Sequence, residues 1–538
     1  MHDENNIDPS EDIFMTMNAP IARPVDITED STTGVGGDVA RIRPSLDVTS
    51  DLSVLVDRSL RLLSNDHSLF QKGGELVLAG TDGAGQVRLR KAKASQLRYL
   101  LAKHANWRND EKACHPPSSI SSCIVDQSSW EHVRPLRAVT PFPVLSSSGG
   151  LRLEPGYDEE TNTLYAQPIG LEVPDEPSHD DAKQAVAKLI DVVHDFPFAD
   201  DVHRAAWLAA LLTPLSRYAH DGNVPLVLVQ ANAPRVGKTR LVQVISEILT
   251  GSESPAITQT RGEDETRKRA LPLLREARPI VLIDNVLGTF GGATTNAITT
   301  SRTFEDRVLG KSATVSCENL TTWFITGNNV TLAADTPERC LHIRLHCEEE
   351  SPNLRSGFRY PDLFAVVRAR RSELLSSALM ILKAFIVAGM PDQGLPAWGS
   401  FESWSRLVRG ALVWAGMPDP AATRHELEAD ADGETDVKAM LLAGIEELQT
   451  TQEVMGLRAS DMLDMIKNAA ADVAPTLRAA FGEIAAPPST LPDPKTLSRH
   501  LRDAKGRNLR GLVLRCEPDP KAAHRWRVER VETKGSGG

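Results

Sequence analysis

Lys238 and Thr239 follow Gly237 at the point where a run of strand formers, 224–231, gives way to an apolar-periodic helix pattern that runs to about 250. A strand, a loop and a helix in that order can hold phosphate. Backbone N–H groups of the loop and helix N-terminus face the anion, the lysine reaches the β- and γ-phosphates, and the hydroxyl ligates Mg²⁺. The nucleotide loop expected on this pattern comprises Asn232, Ala233, Pro234, Arg235, Val236, Gly237, Lys238, Thr239 and Arg240. Asn232 stands where the pattern has its first Gly. Asn tolerates left-handed backbone angles better than most residues, so the turn is expected to survive the change.

A second chemical group lies in 278–286 (RPIVLIDNV), an apolar run ending in Asp284, whose carboxylate is expected opposite Thr239 as a Mg²⁺ ligand. Many such sites place a Glu next, to orient the attacking water; here the neighbour is Asn285. An amide positions water but cannot accept its proton. Glu265, within the charged stretch 262–269 (GEDETRKR), is the candidate replacement carboxylate, with a solvated helix face as the competing reading. A third strand-like run, 321–325, enters Thr326-Gly327-Asn328-Asn329. Asn328 or Asn329 is expected to orient water or sense the γ-phosphate, and spacing leaves open which.

The elements that must position these residues come in a set order: phosphate loop, Asp-Asn strand, a hairpin-like segment at 306–317 (DRVLGKSATVSC), the strand ending GNN, then DTPER at 335–339. This order resembles superfamily 3 helicases of the AAA+ class. It is most similar to the primase-helicase ATPases of phages, satellites and other mobile elements, the poxvirus type among them. Gly156-Tyr157-Asp158 with Thr161 looks like an element upstream of the ATPase in those proteins, and Ser403-Trp404 with 412–420 (LVWAGMPDP) resembles their helical region after it. The resemblance spans roughly residues 90–425. It implies an ATP- and Mg²⁺-dependent motor that assembles as a hexameric ring around DNA. It also implies that Arg339 reaches the neighbouring subunit's nucleotide, with Arg302, Arg307 and Arg344 as rivals. Lys311, with Arg307 beside it, would grip the strand from a channel hairpin. A surface ion pair for Arg339 and a solvated turn for Lys311 are the bland alternatives. No spaced acidic cluster or zinc motif of a primase is evident, so a separate primase is an implied partner.

At 538 residues the chain is too long for one core. A hydrophobic share of 41% and a charged share of 25% suit a globular protein. The net charge of −12 seems to argue against nucleic acid, but residues 1–50 carry ten acidic and three basic residues, over half of that excess. Six cysteines form no C-x-x-C pair, so neither a zinc site nor a disulfide framework is expected, and a reducing cytoplasm fits best. No signal-peptide core appears at the N-terminus, and the apolar stretch 374–390 contains Lys383 and reads as a buried helix, so no membrane association is expected.

The expected fold is multidomain α/β. An acidic, disordered tail (1–50) precedes an N-terminal α+β region (51–178) and a helical segment (179–222). The AAA+/superfamily 3 ATPase core (223–347) is followed by a helical lid or collar (348–428). A linker through the acidic 429–436 leads to helices and a winged-helix-like domain (to 531), and 532–538 reads as a flexible tail. Between 489 and 530 there are eleven basic and five acidic residues, and Arg499, Arg502, Lys505, Arg507 and Arg510 are expected on or near a DNA-contacting helix. Two other functional classes stay open: a nucleotide-dependent DNA-binding switch or loader, and a defence-type ATPase.

Overall fold

The computed structural model describes residues 43–49, 51–83, 87–260, 262–307, 314–328, 330–333, 335–349, 352–454, 456–470, 473–485, 491–517 and 524–531, with backbone only at 353 and 428–435. Lys311, Asn329, residues 1–42 and 50 of the expected tail 1–50, and 532–538 lie outside the described residues. The end of the stretch expected to be disordered instead forms a strand, Ser45–Asp47, paired in parallel with Asn106–Asn109.

Val227, Leu228, Phe324, Ile325 and Leu341 have no exposed surface, and their strands are apolar without alternation, the pattern of strands covered on both faces. These strands form a five-stranded parallel sheet. Its order is Ala256–Thr258, Ile280–Val286, Thr322–Gly327, Leu226–Ala231 and Cys340–Leu345. The Thr322–Gly327 strand therefore lies between the phosphate-loop strand and the Asp284 strand, and the three meet at their C-terminal ends. Helix Lys238–Thr250 starts directly above them and buries Leu241, Val244, Ile245 and Ile248.

That helix shares one apolar core with helices His179–Val192, Asp201–Ser216 and Arg371–Val387. The Trp404 indole ties the segment that follows to this core by donating to the Thr213 hydroxyl at 2.9 Å. From Phe142 onward the chain already packs into this core. Upstream, helices Leu52–Leu63 and Ala94–His104 cover a small antiparallel sheet of Leu69–Lys72, Glu75–Thr81 and Val87–Lys91. Gly156–Asp158 and Thr163–Tyr165 make a tight antiparallel pair, closed by the Thr161 hydroxyl donating to Asp158.

The hairpin expected at 306–317 has strands Thr303–Arg307 and Thr314–Glu318, with Arg307 opposite Thr314. Its base is held from the N-terminal region. The Arg137 guanidinium forks onto Glu318, with Nε donating at 2.9 Å, and lies 4.9 Å from the Tyr218 ring centroid. Lys72 Nζ donates to the Arg137 carbonyl, and burial lowers its pKa from 10.5 to about 8, with Glu318 opposing the shift.

The expected linker at 429–436 is not one: the chain runs through it as a single 28-residue helix, Arg424–Thr451. Gly433 costs such a helix about 1 kcal/mol, and docking at both ends outweighs it. Glu426 near the start pairs with Arg344 of the central sheet, and Leu441, Leu442, Ile445 and Leu448 enter the C-terminal core. That core contains helices Ala459–Asn468, Pro475–Ile484 and Pro494–Ala504 and a three-stranded antiparallel sheet of Asn508–Leu509, Leu512–Glu517 and Arg525–Arg530. Among the described residues no helix is long and apolar enough to cross a membrane.

Candidate functional site

Gly237 ends the loop and caps the helix with φ 108°, a left-handed angle that favours glycine, and a Cβ there would meet Phe196 at 3.2 Å. The other left-handed residue of the loop is Arg235, at φ 64°. Asn232 does not take a left-handed angle, which corrects the reason expected for its presence. Its side-chain amide instead brackets the backbone of Cys347: Nδ2 donates to the carbonyl at 2.8 Å and Oδ1 accepts from the N–H at 3.0 Å. An Asn in place of the first Gly thus ties the loop to the chain leaving the edge strand. Arg240, the last residue assigned to the loop, places its guanidinium 5.2 Å from the Phe364 ring centroid.

Lys238 Nζ donates to Asn328 Oδ1 at 2.6 Å. Burial lowers the Lys238 pKa from its ordinary value, and the Asp284 carboxylate partly offsets this. The Thr239 hydroxyl donates to Asp284 Oδ1 at 2.7 Å. The sheet order explains these meetings, since Asn328 tops the strand lying between the other two. The structure brings Lys238, Thr239, Asp284 and Asn328 together.

Sequence reasoning missed one further member. Thr326, buried one turn of pleat below Asn328, donates its hydroxyl to Asp284 Oδ1 at 2.5 Å and accepts the Asn285 N–H at 3.0 Å. Both hydroxyls meet Oδ1, and among the described residues no donor meets Oδ2. Hydroxyl and carboxylate oxygens in contact are the donor set of a hard cation such as Mg²⁺, so the residues fit that ion. No local pattern along 322–327 signals Thr326, because the strand is buried along its whole length.

Asn285 sits in a bulge between Ile283 and Val286 with φ 56°, and its side chain is exposed. Asn is among the few residues that adopt this angle at low cost, which gives a backbone reason for an amide where many such sites place a Glu. Glu265 is not drawn into the cluster by any bond. It lies in the exposed first turn of helix Glu263–Glu276, paired with Lys268 at 2.6 Å, and this pairing lowers its pKa. The solvated-face reading describes it.

Arg339 ends a short turn immediately before strand Cys340–Leu345. In that strand Cys340 pairs with Leu226 and Leu345 with Ala231, so Arg339 stands at the end of the sheet away from the phosphate loop. The five intervening steps cover about 16 Å, beyond the reach of its side chain to its own loop. Its guanidinium is 3.6 Å from Asp335. Among its rivals, Arg302 pairs with Asp221 at 2.7 Å, Arg344 pairs with Glu426 at 3.3 Å, and Arg307 is exposed at the hairpin.

At the C-terminus, Arg499, Arg502, Lys505, Arg507 and Arg510 are all exposed on or just after helix Pro494–Ala504. Leu497, Leu501 and Ala504 turn the other face into the core. Arg510 is engaged with Asp436 of the long helix, so it is the least available of the five.

No family model and no curated protein sequence matches the chain. Among solved structures, it is similar to the NrS-1 C-terminal region in an A-form apo structure. That match has 12% identity and a TM-score of 0.37 and covers 85% of this chain and 95% of that one. A second structure of the same region gives 13% identity, a TM-score of 0.33 and coverages of 84% and 96%. JCV helicase is similar over 43% of this chain and 66% of its own, at 12% identity and a TM-score of 0.22.

Proposed function

We propose that the chain is an ATP-hydrolysing motor of a phage or other mobile element that acts on DNA as a ring-shaped helicase or translocase in replication. The observation that carries this reading is the meeting of Lys238, Thr239, Asp284 and Asn328 above three adjacent parallel strands. In it, Lys238 neutralises the β- and γ-phosphates, exchanging its bond to Asn328 for one to the anion. Thr239 and Asp284 are the residues that would hold Mg²⁺, which when bound supplies charge neutralisation on the phosphates. Asn328, released from Lys238, is placed to hold the attacking water or read the γ-phosphate.

Arg339 completes the reading. It lies too far from its own loop, so its role in turnover is served in trans, from one subunit to the next. A finger of this kind contributes about 10³–10⁵ in rate where it has been measured. That requires a closed ring, for which a hexamer is the expected form. The hairpin with Arg307 and Lys311 would contact the DNA backbone, and the basic C-terminal face would supply a further phosphate contact. The C-terminal helices and three-stranded sheet would then act as a winged helix, and priming would come from a separate protein.

One observation favours a second reading. Asn285 gives no base beside Asp284, and Glu265 is engaged elsewhere, so slow hydrolysis would suit a switch or loader that assembles on DNA without unwinding it. The test is strand displacement on a forked duplex, with ATPase measured on single- and double-stranded DNA alongside. Displacement that requires Lys238 supports the motor. DNA-dependent assembly with ATP, but no displacement, supports the switch.

A further inference from the structure

The N-terminal region carries a basic surface that none of the assigned roles uses. Residues 87–112 contain eight basic and two acidic residues in a chain whose net charge is −12. The placement of these charges is ordered. Among the described residues Val87–Lys91 is an edge strand, paired only with Glu75–Thr81. Val87 and Leu89 are half-buried, whereas Arg88 and Arg90 alternate with them and are exposed. The chain then passes through buried Ala92 and exposed Lys93 directly into helix Ala94–His104, which buries Leu97, Leu100 and Leu101. The opposite face of that helix shows Arg98, Tyr99 and Lys103.

Tyr99 is 69% exposed, more than any other large aromatic side chain among those described. A tyrosine standing out between cations offers a flat, polarisable face and phosphate partners at once. The side chains of Arg90, Lys93 and Tyr99 make no ion pair or hydrogen bond among the described residues; the Lys93 backbone N–H donates to Gln96 Oε1 at 2.9 Å. By contrast Lys91 pairs with Glu75 and Lys103 with Asp66, so those two are partly neutralised. From Lys93 to Lys103 the helix rises about 15 Å, a length over which several nucleotides can lie.

We propose that this strand–helix surface binds single-stranded DNA, with a base stacked on Tyr99 and phosphates on Arg90 and Lys93. Stacking on an exposed aromatic, flanked by cations that follow the backbone, is how proteins hold single strands without reading sequence. The surface is built from other elements than the hairpin strands and the C-terminal helix, and its use does not depend on ATP turnover.

The full chain is titrated, without nucleotide, into fluorescent oligo-dT over a series of salt concentrations and followed by anisotropy. Tyr99→Ala should weaken binding about tenfold, and Tyr99→Phe, which keeps the ring, should restore it. Arg90→Ala with Lys93→Ala should reduce the slope of log affinity against log salt by about 1.4, the share of two phosphate contacts on a single strand. An oligomer carrying 5-iodouracil should photocrosslink to the peptide containing Tyr99. Basal ATPase, measured in parallel, should match wild type in all these variants. Unchanged affinity in Tyr99→Ala with no crosslink in residues 93–103 would overturn the proposal. So would an equal loss on duplex and single strand, or stronger binding of polyglutamate than of oligo-dT at the same surface.

Discussion

Replacing Thr326 by Val removes one hydroxyl while keeping the branched shape that the buried strand requires. Two bonds disappear: the donation to Asp284 Oδ1 at 2.5 Å and the acceptance of the Asn285 N–H at 3.0 Å. An N–H left without a partner at a partly buried position costs about 1–3 kcal/mol. A net loss near 2 kcal/mol corresponds to a Tm drop of roughly 4–8 °C for a unit of this core's size. The catalytic consequence is separate. Asp284 then rests on Thr239 alone, and a carboxylate displaced by about 1 Å costs on the order of 10²-fold in rate. The expected result is a large fall in kcat with a small change in ATP KM, and a higher Mg²⁺ concentration for half-maximal turnover. Thr326→Ser keeps the hydroxyl and should recover most of both losses. A Thr326→Val protein with wild-type kcat and Mg²⁺ dependence would refute the assignment, as would a Ser variant no better than Val.

Lys238→Ala should abolish hydrolysis and weaken ATP binding, whereas Asp284→Asn should keep much of the binding and lose turnover; equal turnover in both variants and wild type would end the nucleotide-site reading. Arg339→Ala should lose far more kcat than ATP affinity, and mixing it with Lys238→Ala subunits should restore some ATPase, which a subunit acting alone cannot do. Glu265→Gln should leave turnover unchanged, because its partner is Lys268 on the surface; a marked loss would return it to the site. Asn285→Glu should destabilise the protein by about 1 kcal/mol, since a residue other than Asn or Gly is strained at φ 56°, and Asn285→Gly should not, as paired melts would read. Between pH about 8 and 10.5 the unfolded chain holds a proton on Lys72 that the folded chain has released, so this residue makes stability rise with pH across that window. Lys72→Met should flatten that rise relative to wild type in denaturant titrations at each pH.

The parts of this chain legible in its sequence are those governed by neighbours along the chain. Gly237-Lys238-Thr239 between a strand and a helix, the hairpin-like segment 306–317, and the basic helix before the last strands are each contained in one continuous stretch of chain. What sequence did not disclose depends on partners far away. Thr326 gains its role only because its strand lies between two others, an order no local pattern carries. The grip of Arg137 on Glu318 joins residues 181 positions apart. Asn232 and Asn285 show a subtler limit. Left-handed tolerance was the right property of Asn, but it applies at 285, in the bulge, and not at 232, where the amide serves as a two-sided clamp. The linker expected at 429–436 misled because Gly and Asp weaken a helix only when nothing holds its ends.

The unbroken helix Arg424–Thr451 has a mechanical meaning. Its 28 residues make a rod about 42 Å long. Near one end Glu426 contacts Arg344, His203 and His342 beside the outermost strand of the central sheet. Near the other, Glu446 holds Arg530 and Gln449 accepts the Val528 N–H of the terminal sheet. With no joint between these anchorages, a tilt of about 5° at the sheet would sweep the far end through roughly 4 Å, given the rod's length. The exposed arginines of helix Pro494–Ala504 would be carried along as the tip of that lever, with their aim set by the strand bordering the phosphate loop.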